Sequence, residues 1–530
     1  MNFTRIARLL GGFALFFAVV QLVPLGMALC EAPTRFETVS GFAAGFGIGL
    51  AVSALLLLAG RSADVEFHRK ESLAVVGFAW FLAAALGAIP FVWSGTLSSV
   101  IDAGFETVSG LTTTGASVFG SGDNAAISSL PHSILLWRAI LHFVGGIGII
   151  LIFIVLLPAM GVTGKNLLAS EQVGVSTEVS QPRLREQGRA LFKIYLGLTF
   201  LCGLAYWIAG MGIFDAICHA FATLATGGFS TQDHSLADFG SLPIELVCIA
   251  FMFLAGCNFA WYVTLLRSRG RDAPRVLQSP ELRCYAGLTL GLVVVVAVSL
   301  WLRGDAVADV GGVRDYADLG TCLRDAAFNT VSLITSTGFA SANFQVWPRL
   351  AVVAFLLCML IGSCTGSTAG GFKVLRILVS VKLAAFHLRR FVRPKSVERL
   401  KLGGDIVPDP IVSGILAVLV LWLATLAVGT VVFALDSRLD FLSCLSASVS
   451  MLGCTGPALT AVQAVGEGPF SLANPATFTI ANSGALDLGP FGGYGALPPG
   501  IKLWCCVQMV FGRLEIVAPL VLFVPGFWRR

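Results

Sequence analysis

Charge is what this chain has least of. Only 12% of its 530 residues are Asp, Glu, Lys or Arg, about half the share of a soluble domain. A soluble fold is therefore excluded. The 30 acidic residues crowd into loops and the ends of apolar runs, and Glu515 is the exception, well inside one. A proton-coupled carrier usually needs carboxylates at mid-membrane, so their scarcity favours a channel-like route driven by the membrane potential. No CxxC pair and no cysteine–histidine cluster occurs among the thirteen cysteines. Inside apolar helices such thiols read as small buried hydrophobes. No cluster of Asp, His or Lys recurs at an interfacial face, which argues against an enzyme acting on a lipid-linked substrate.

What is present is apolar length. With 56% hydrophobic residues and runs such as CYAGLTLGLVVVVAVSLWL, ending at Leu302, the chain reads as polytopic in a membrane, because runs of 18 or more apolar residues span one. Ten spans are expected, near 9–30, 38–60, 73–94, 133–160, 190–210, 243–266, 284–303, 349–386 (interrupted), 410–434 and 500–526. Arg5 and Arg8 before the first run imitate a signal peptide, but the run is too long and a second follows at once, so it reads as an uncleaved helix. Basic residues segregate into 267–283 and 372–401, whereas 457–498 has none and 305–325 is rich in aspartate. The positive-inside rule then puts both termini in the cytoplasm. The basic segments attract either anionic lipid or a cytoplasmic partner; nucleic acid is not implied.

Against this apolar background, FETVSGLTTTG at 105–115 and FNTVSLITSTG at 328–338 agree at seven of eleven positions. FATLATGG (221–228) and SVSMLGCTGP (448–457) are weaker relatives. The glycine after each threonine, Gly115, Gly227, Gly338 and Gly456, recurs at intervals of 112, 111 and 118 residues, a repeat signature. Asp102, Asp215 and Asp325 stand twelve or thirteen residues before their glycines, as expected of N-caps of short helices; Ser443 and Asp440 occupy this region of the fourth unit. Irregular backbone survives at membrane depth only when buried in protein or lining a water-filled path. Four re-entrant loops entering from one side can converge and offer a ring of carbonyls to a cation, with glycine supplying backbone angles closed to other residues. The predicted fold is an all-α polytopic membrane protein with four pseudo-repeated span–pore helix–span units around one pore, plus an N-terminal hairpin. The units run 1–70 (hairpin), 71–188, 189–281, 282–405 and 406–530.

The loops TTTGA, LATGGF, TSTGF and CTGP, with HFVGGIGIILIFIVLLPAMGVTG (142–164), IGSCTGSTAGGFKVLR (361–376) and GRLEI (512–516), resemble the TrkH/TrkG/KtrB superfamily of potassium-uptake proteins, and the TrkH branch in particular. The resemblance covers nearly the whole chain, and residues 1–60 resemble that branch's extra pair of helices. It implies potassium uptake across a bacterial cytoplasmic (inner) membrane, K+ as transported ion and no cofactor. A homodimer and a cytoplasmic nucleotide-binding, TrkA-like regulatory subunit are also implied. A sodium or nonselective cation pathway of the same fold is the alternative; sodium-favouring plant relatives carry serine at the first filter glycine, where this chain has Gly115. The expected filter is Thr113, Thr114, Gly115, Thr226, Gly227, Thr337, Gly338, Thr455 and Gly456. The fourth loop departs from many relatives at Cys454-Thr455.

The run GSCTGSTAGG at 362–371 is a poor helix, since each glycine costs about 1 kcal/mol relative to alanine. It is expected to interrupt a span below the filter and to act as a gate through Gly362, Thr365, Gly366, Gly370 and Gly371. Arg513, inside the last run, would hold it through carbonyls, while Glu515, two residues on, faces elsewhere. Glu106, His219 and Asn329 hold matching positions and read either as a polar ring behind the filter or as solvated vestibule residues. His142 reads as a local contact. GFGIG (45–49) and GGIG (145–148) follow no strand and read as helix packing, not as a nucleotide loop.

Overall fold

The computed structural model describes residues 2–31, 35–61, 69–159, 181–310, 312–393, 400–460, 462–464, 478–480 and 486–528. Among them, seven helices are long and apolar enough to cross a membrane, or eight if the bent pair Leu242–Ala255 and Phe259–Arg267 counts as one span. The chain is a multi-pass helical membrane protein. Short antiparallel pairs such as Ala306–Asp309 with Gly312–Asp315 are the strands among the described residues.

Fewer spans appear than the ten expected from hydropathy, because three of the apolar runs are broken. The 349–386 run ends as a helix at Ile361 and resumes at Val374, across the glycine-rich stretch. The 243–266 run bends by 87° between Ala255 and Phe259; Asn258 begins the second half by accepting from the Ala260 N–H. The last run leaves its helix after Arg513, where Glu515 and Ile516 have φ of 63° and 55°.

The first two long helices, Phe3–Cys30 and Phe36–Ala59, pair through the GFGIG stretch. A side chain at Gly49 would come within 2.8 Å of the Ala18 Cβ, so glycine here lets two backbones approach. The hairpin is fastened to the rest by Trp137, whose indole N–H donates to the Gly87 carbonyl at 3.1 Å and whose ring meets Phe17 and Phe42 edge-on. After the hairpin the order is long helix, short helix, return helix. It runs Ala74–Trp93, Val100–Leu111, His132–Ile149; Glu186–Ile208, Ile213–Leu224, Leu242–Ala255; Pro280–Arg303, Leu319–Ile334, Arg349–Ile361; and Asp409–Phe433, Phe441–Gly453, Pro499–Arg513. The outward faces of the long helices carry exposed Phe200, Leu302 and Val431, the side chains that hydrocarbon accepts without cost.

The short helices are capped differently from expectation. Ser99, Asp318 and Asp440 are the side-chain N-caps, and Gly212 begins the second helix without one. Asp102 and Asp215 lie in the first turn instead, and Asp325 lies further inside its helix. The helices simply begin at other residues, and the three carboxylates serve as tertiary anchors. Asp102 accepts from Lys502 at 2.5 Å, Asp215 from the Thr231 hydroxyl at 2.6 Å, and Asp325 from Arg314 and Tyr316 at 3.2 Å each. Asp318, outside the long spanning helices, accepts from the Thr321 N–H and hydroxyl, bonds that hold its carboxyl below the ordinary range.

Candidate functional site

Each short helix ends in the same backbone turn. The N–H groups of Thr114, Gly227, Thr337 and Thr455 bond to carbonyls five residues back, on Ser109, Ala222, Ser332 and Ser450, at 2.8–2.9 Å. The residue before each of them is left-handed: Thr113, Thr226, Ser336 and Cys454 have φ of 51–53°. This is the six-to-one closure of a Schellman turn. Its left-handed position usually holds glycine, and a side chain there costs roughly 1–2 kcal/mol. Such strain is characteristic of functional backbone.

The turns also fix the register of the four loops. The glycines with φ of 80–99° that follow are Gly115, Gly228, Gly338 and Gly456. Gly228, not Gly227, therefore matches Gly115. In this register Asp102, Asp215, Asp325 and Ser443 all stand thirteen residues before their glycines, so a constant spacing was the available signal. Gly227 takes the place that threonine holds in the other loops.

The loops meet in a closed cycle. A Cβ on Gly115 would overlap the carbonyl oxygen of Gly227, one on Gly228 that of Thr337, one on Gly338 that of Thr455, and one on Gly456 that of Thr114. Every loop thus presses a glycine against its neighbour's carbonyl, and the fourth closes on the first. The Thr114, Thr226, Thr337 and Thr455 side chains are buried, as is Thr113. Hydroxyl pairs stiffen two of the loops, Thr112 with Thr114 at 2.7 Å and Thr335 with Thr337 at 2.8 Å. The hydroxyls of Thr113 and Thr455 have no hydrogen-bond partner among the described residues. Neutral oxygens in a cycle, with helix C-termini directed at it, form an environment suited to a cation.

Behind the cycle, each loop is tied to its own short helix. Glu106 accepts from the Ser117 hydroxyl at 3.1 Å and the Val118 N–H at 3.0 Å. His219 Nε2 pairs with Ser230 Oγ at 3.0 Å, and Asn329 donates to Ser341 Oγ at 3.1 Å. On the fourth short helix Ser446 accepts from the Leu459 N–H at 2.9 Å. Glu106, His219 and Asn329 are buried, so the solvated-vestibule alternative is set aside; each buckles a loop to its own short helix. His142 bridges the first short helix and the second loop: its Nδ1 donates to the Gly110 carbonyl at 2.8 Å, and its Nε2 accepts from the Phe229 N–H at 3.1 Å. Sequence reasoning missed Arg138, which is buried beside Glu106, and Tyr494, whose hydroxyl donates to the Gly456 carbonyl at 2.9 Å.

The 362–373 segment lies against the C-terminal ends of these short helices. The Thr368 hydroxyl donates to the Leu224 and Ala255 carbonyls at 3.0 and 3.3 Å, the Gly370 N–H to Ser336 Oγ at 2.5 Å, and the Gly371 N–H to the Gly453 carbonyl at 3.0 Å. Gly362, Gly366 and Gly371 have φ of 72–77°. The Gly366 carbonyl accepts from the Phe259 N–H at 3.1 Å, and the Thr365 N–H donates to Glu281 at 2.5 Å. Arg513, 2% exposed, donates to the Thr368 carbonyl at 2.5 Å and to the Gly145 carbonyl at 3.1 Å. Glu515 pairs with Arg376, at the start of the helix that resumes after the segment. The Lys373 ammonium donates to the Ala369 carbonyl within the segment.

A family model described as TrkH, cation transport protein, matches residues 39–482. The chain is 33% identical over 540 residues to the Trk system potassium uptake proteins TrkH of Salmonella typhimurium and Escherichia coli K12, covering 100% of each pair. It is 30% identical over 473 residues to TrkG of E. coli K12, covering 88% of this chain and 87% of that one. Its fold matches the crystal structure of the potassium transporter TrkH from Vibrio parahaemolyticus with a TM-score of 0.83, at 32% identity and 100% coverage of both chains.

Proposed function

This chain belongs to the TrkH family of cation transport proteins, and on that premise we propose that it takes up potassium through a pore at the centre of the four loops. The observation that carries the reading is the closed cycle of glycine-against-carbonyl contacts at Gly115, Gly228, Gly338 and Gly456. In this reading residues 71–188, 189–281, 282–405 and 406–530 are four units around one axis, and 1–70 is an added hairpin. The carbonyls of Thr114, Gly227, Thr337 and Thr455 replace part of the ion's hydration shell, with the Thr113, Thr226 and Thr455 hydroxyls in support. A rigid cycle disfavours sodium, because it cannot contract around the smaller ion.

The driving force is the membrane potential, at about 2.3 kcal/mol per charge per 100 mV. Both termini face the cytoplasm of a bacterial inner membrane, and the protein works as a homodimer with a nucleotide-binding cytoplasmic subunit. The 362–371 segment is the gate, with Arg513 as its latch. Purified protein in liposomes tests the reading through parallel fluxes of potassium, rubidium, sodium and lithium. Potassium and rubidium should pass ahead of the other two. Equal sodium and potassium fluxes would establish the nonselective alternative, and no flux of any cation would refute the pore.

A further inference from the structure

Among the described residues, one ion pair behind the cycle has no counterpart at the matching positions of the other three units. Arg138 and Glu106 are 1% and 0% exposed, with Arg138 Nε 2.8 Å from Glu106 Oε1. At the place of Glu106 the other units carry His219, Asn329 and Ala447. Arg138 is the seventh residue of the helix that begins at His132; the seventh residues of the corresponding helices are Cys248, Phe355 and Cys505. At these two matching positions, among the described residues, the charge pair belongs to the first unit alone.

The contacts of Arg138 straddle two loops. One terminal nitrogen donates to the Ser230 carbonyl at 3.0 Å, just past Gly228, and the other to Ser117 Oγ at 3.3 Å, just past Gly115. The guanidinium lies over the Phe229 ring, 4.1 Å from its centroid, with Phe119 at 5.6 Å. Glu106 meanwhile holds Ser117 and Val118. Burying two charges is expensive, and the pair adds no net charge beside an ion route. What the pair supplies is a fixed span, since the planar guanidinium fork sets direction as well as distance.

We propose that Arg138, through Glu106, is a positioning residue for ion selection: it fixes the spacing of the Gly115 and Gly228 loops so that the carbonyls of Thr114 and Gly227 cannot close on a smaller cation. The inference rests on the filter reading above. Unpairing a buried hydrogen-bonded group costs enough to relax such a spacing, so Arg138→Gln should lower the potassium-to-sodium flux ratio in liposomes by about five- to thirtyfold. Glu106→Gln should lower it too, and the double variant should do no further damage, because contacting residues of one network are not additive. Arg138→Lys keeps the charge but loses the fork; it should recover thermal stability without recovering the ratio.

The ratio is decisive because a merely structural role would change melting temperature and total flux and leave it alone. Folded Arg138→Gln with the wild-type ratio would overturn the proposal. Should that variant not fold, a wild-type ratio in Arg138→Lys would overturn it equally. If the unaltered protein fails to separate potassium from sodium, the filter reading itself falls, and this inference with it.

Discussion

A side chain at Gly115 would run into the carbonyl oxygen of Gly227 on the next loop. The same residue has φ of 80°, which disfavours any residue with a Cβ. Both constraints act together at Gly338, where an added Cβ would also stand 2.9 Å from the Pro457 ring. Gly115→Ser and Gly338→Ser should therefore push neighbouring carbonyls off their positions and raise sodium flux relative to potassium. Liposome flux ratios measure this. Wild-type uptake and selectivity in both variants would sink the filter assignment.

The register of the second loop can be tested separately. A Cβ on Gly227 would come within 2.6 Å of the His142 ring, whereas one on Gly228 would strike backbone, the Thr337 carbonyl. A side chain can be removed and a backbone cannot. Gly227→Ala should impair transport and be relieved by adding His142→Ala; Gly228→Ala should impair it with no relief from the same change. Equal rescue of both would mean that the loop does not sit in this register.

Part of this arrangement was legible in the residue order. The Thr-Gly loops, the helix that stops before 362–371 and the packing role of GFGIG all follow from local chemistry, because glycine content and polar residues in an apolar run act within a few positions. The break at Gly256–Asn258 was not legible, since its causes are distant: the Gly256 carbonyl accepts from the Cys364 N–H and the Phe259 N–H donates to the Gly366 carbonyl. Hydropathy averages over such a break. The second loop was placed one residue early because its two consecutive glycines, Gly227 and Gly228, are indistinguishable by composition; only the backbone turn separates them. Asp102, Asp215 and Asp325 marked the right helices but the wrong role, because their partners Lys502, Thr231 and Arg314 come from other segments.

The proposed orientation can be read with single cysteines. Ala476 and Ser396, natural choices by charge count, lie outside the described residues. Val313, in the strand pair before the third short helix, and Leu388, near the end of the basic helix Val374–Val392, are exposed instead. In a background where exposed Cys30 is serine, Val313→Cys should react with an impermeant maleimide added to intact cells. Leu388→Cys should react only after the membrane is opened. The reverse pattern would put the loops at the opposite face.

The proposed gate makes the sharpest demand. The segment below the cycle is held at several points, and Arg513 supplies two of them through the Thr368 and Gly145 carbonyls, one on the segment and one on the first unit. Hydrogen bonds from a charged donor are each worth roughly 1.5–3 kcal/mol. Arg513→Ala should therefore raise potassium flux in the absence of any partner by about tenfold or more, and it also removes a positive charge from the route. Arg513→Lys should fall between, because an ammonium keeps the charge but cannot span both carbonyls with a rigid fork. Deleting Ser367, Thr368 and Ala369 removes the contacts to Leu224 and Ala255 as well, so it should open the route further than Arg513→Ala does. The Arg376–Glu515 pair ties the far end of the segment to the break that follows Arg513, which gives a cytoplasmic partner a lever: moving the Val374–Val392 helix moves the segment and strains the Arg513 latch together. Fluxes in liposomes, with folding checked by size-exclusion and melting, decide the matter. Unchanged or lower flux in folded Arg513→Ala and in the three-residue deletion would leave the segment a packed kink with no gating role.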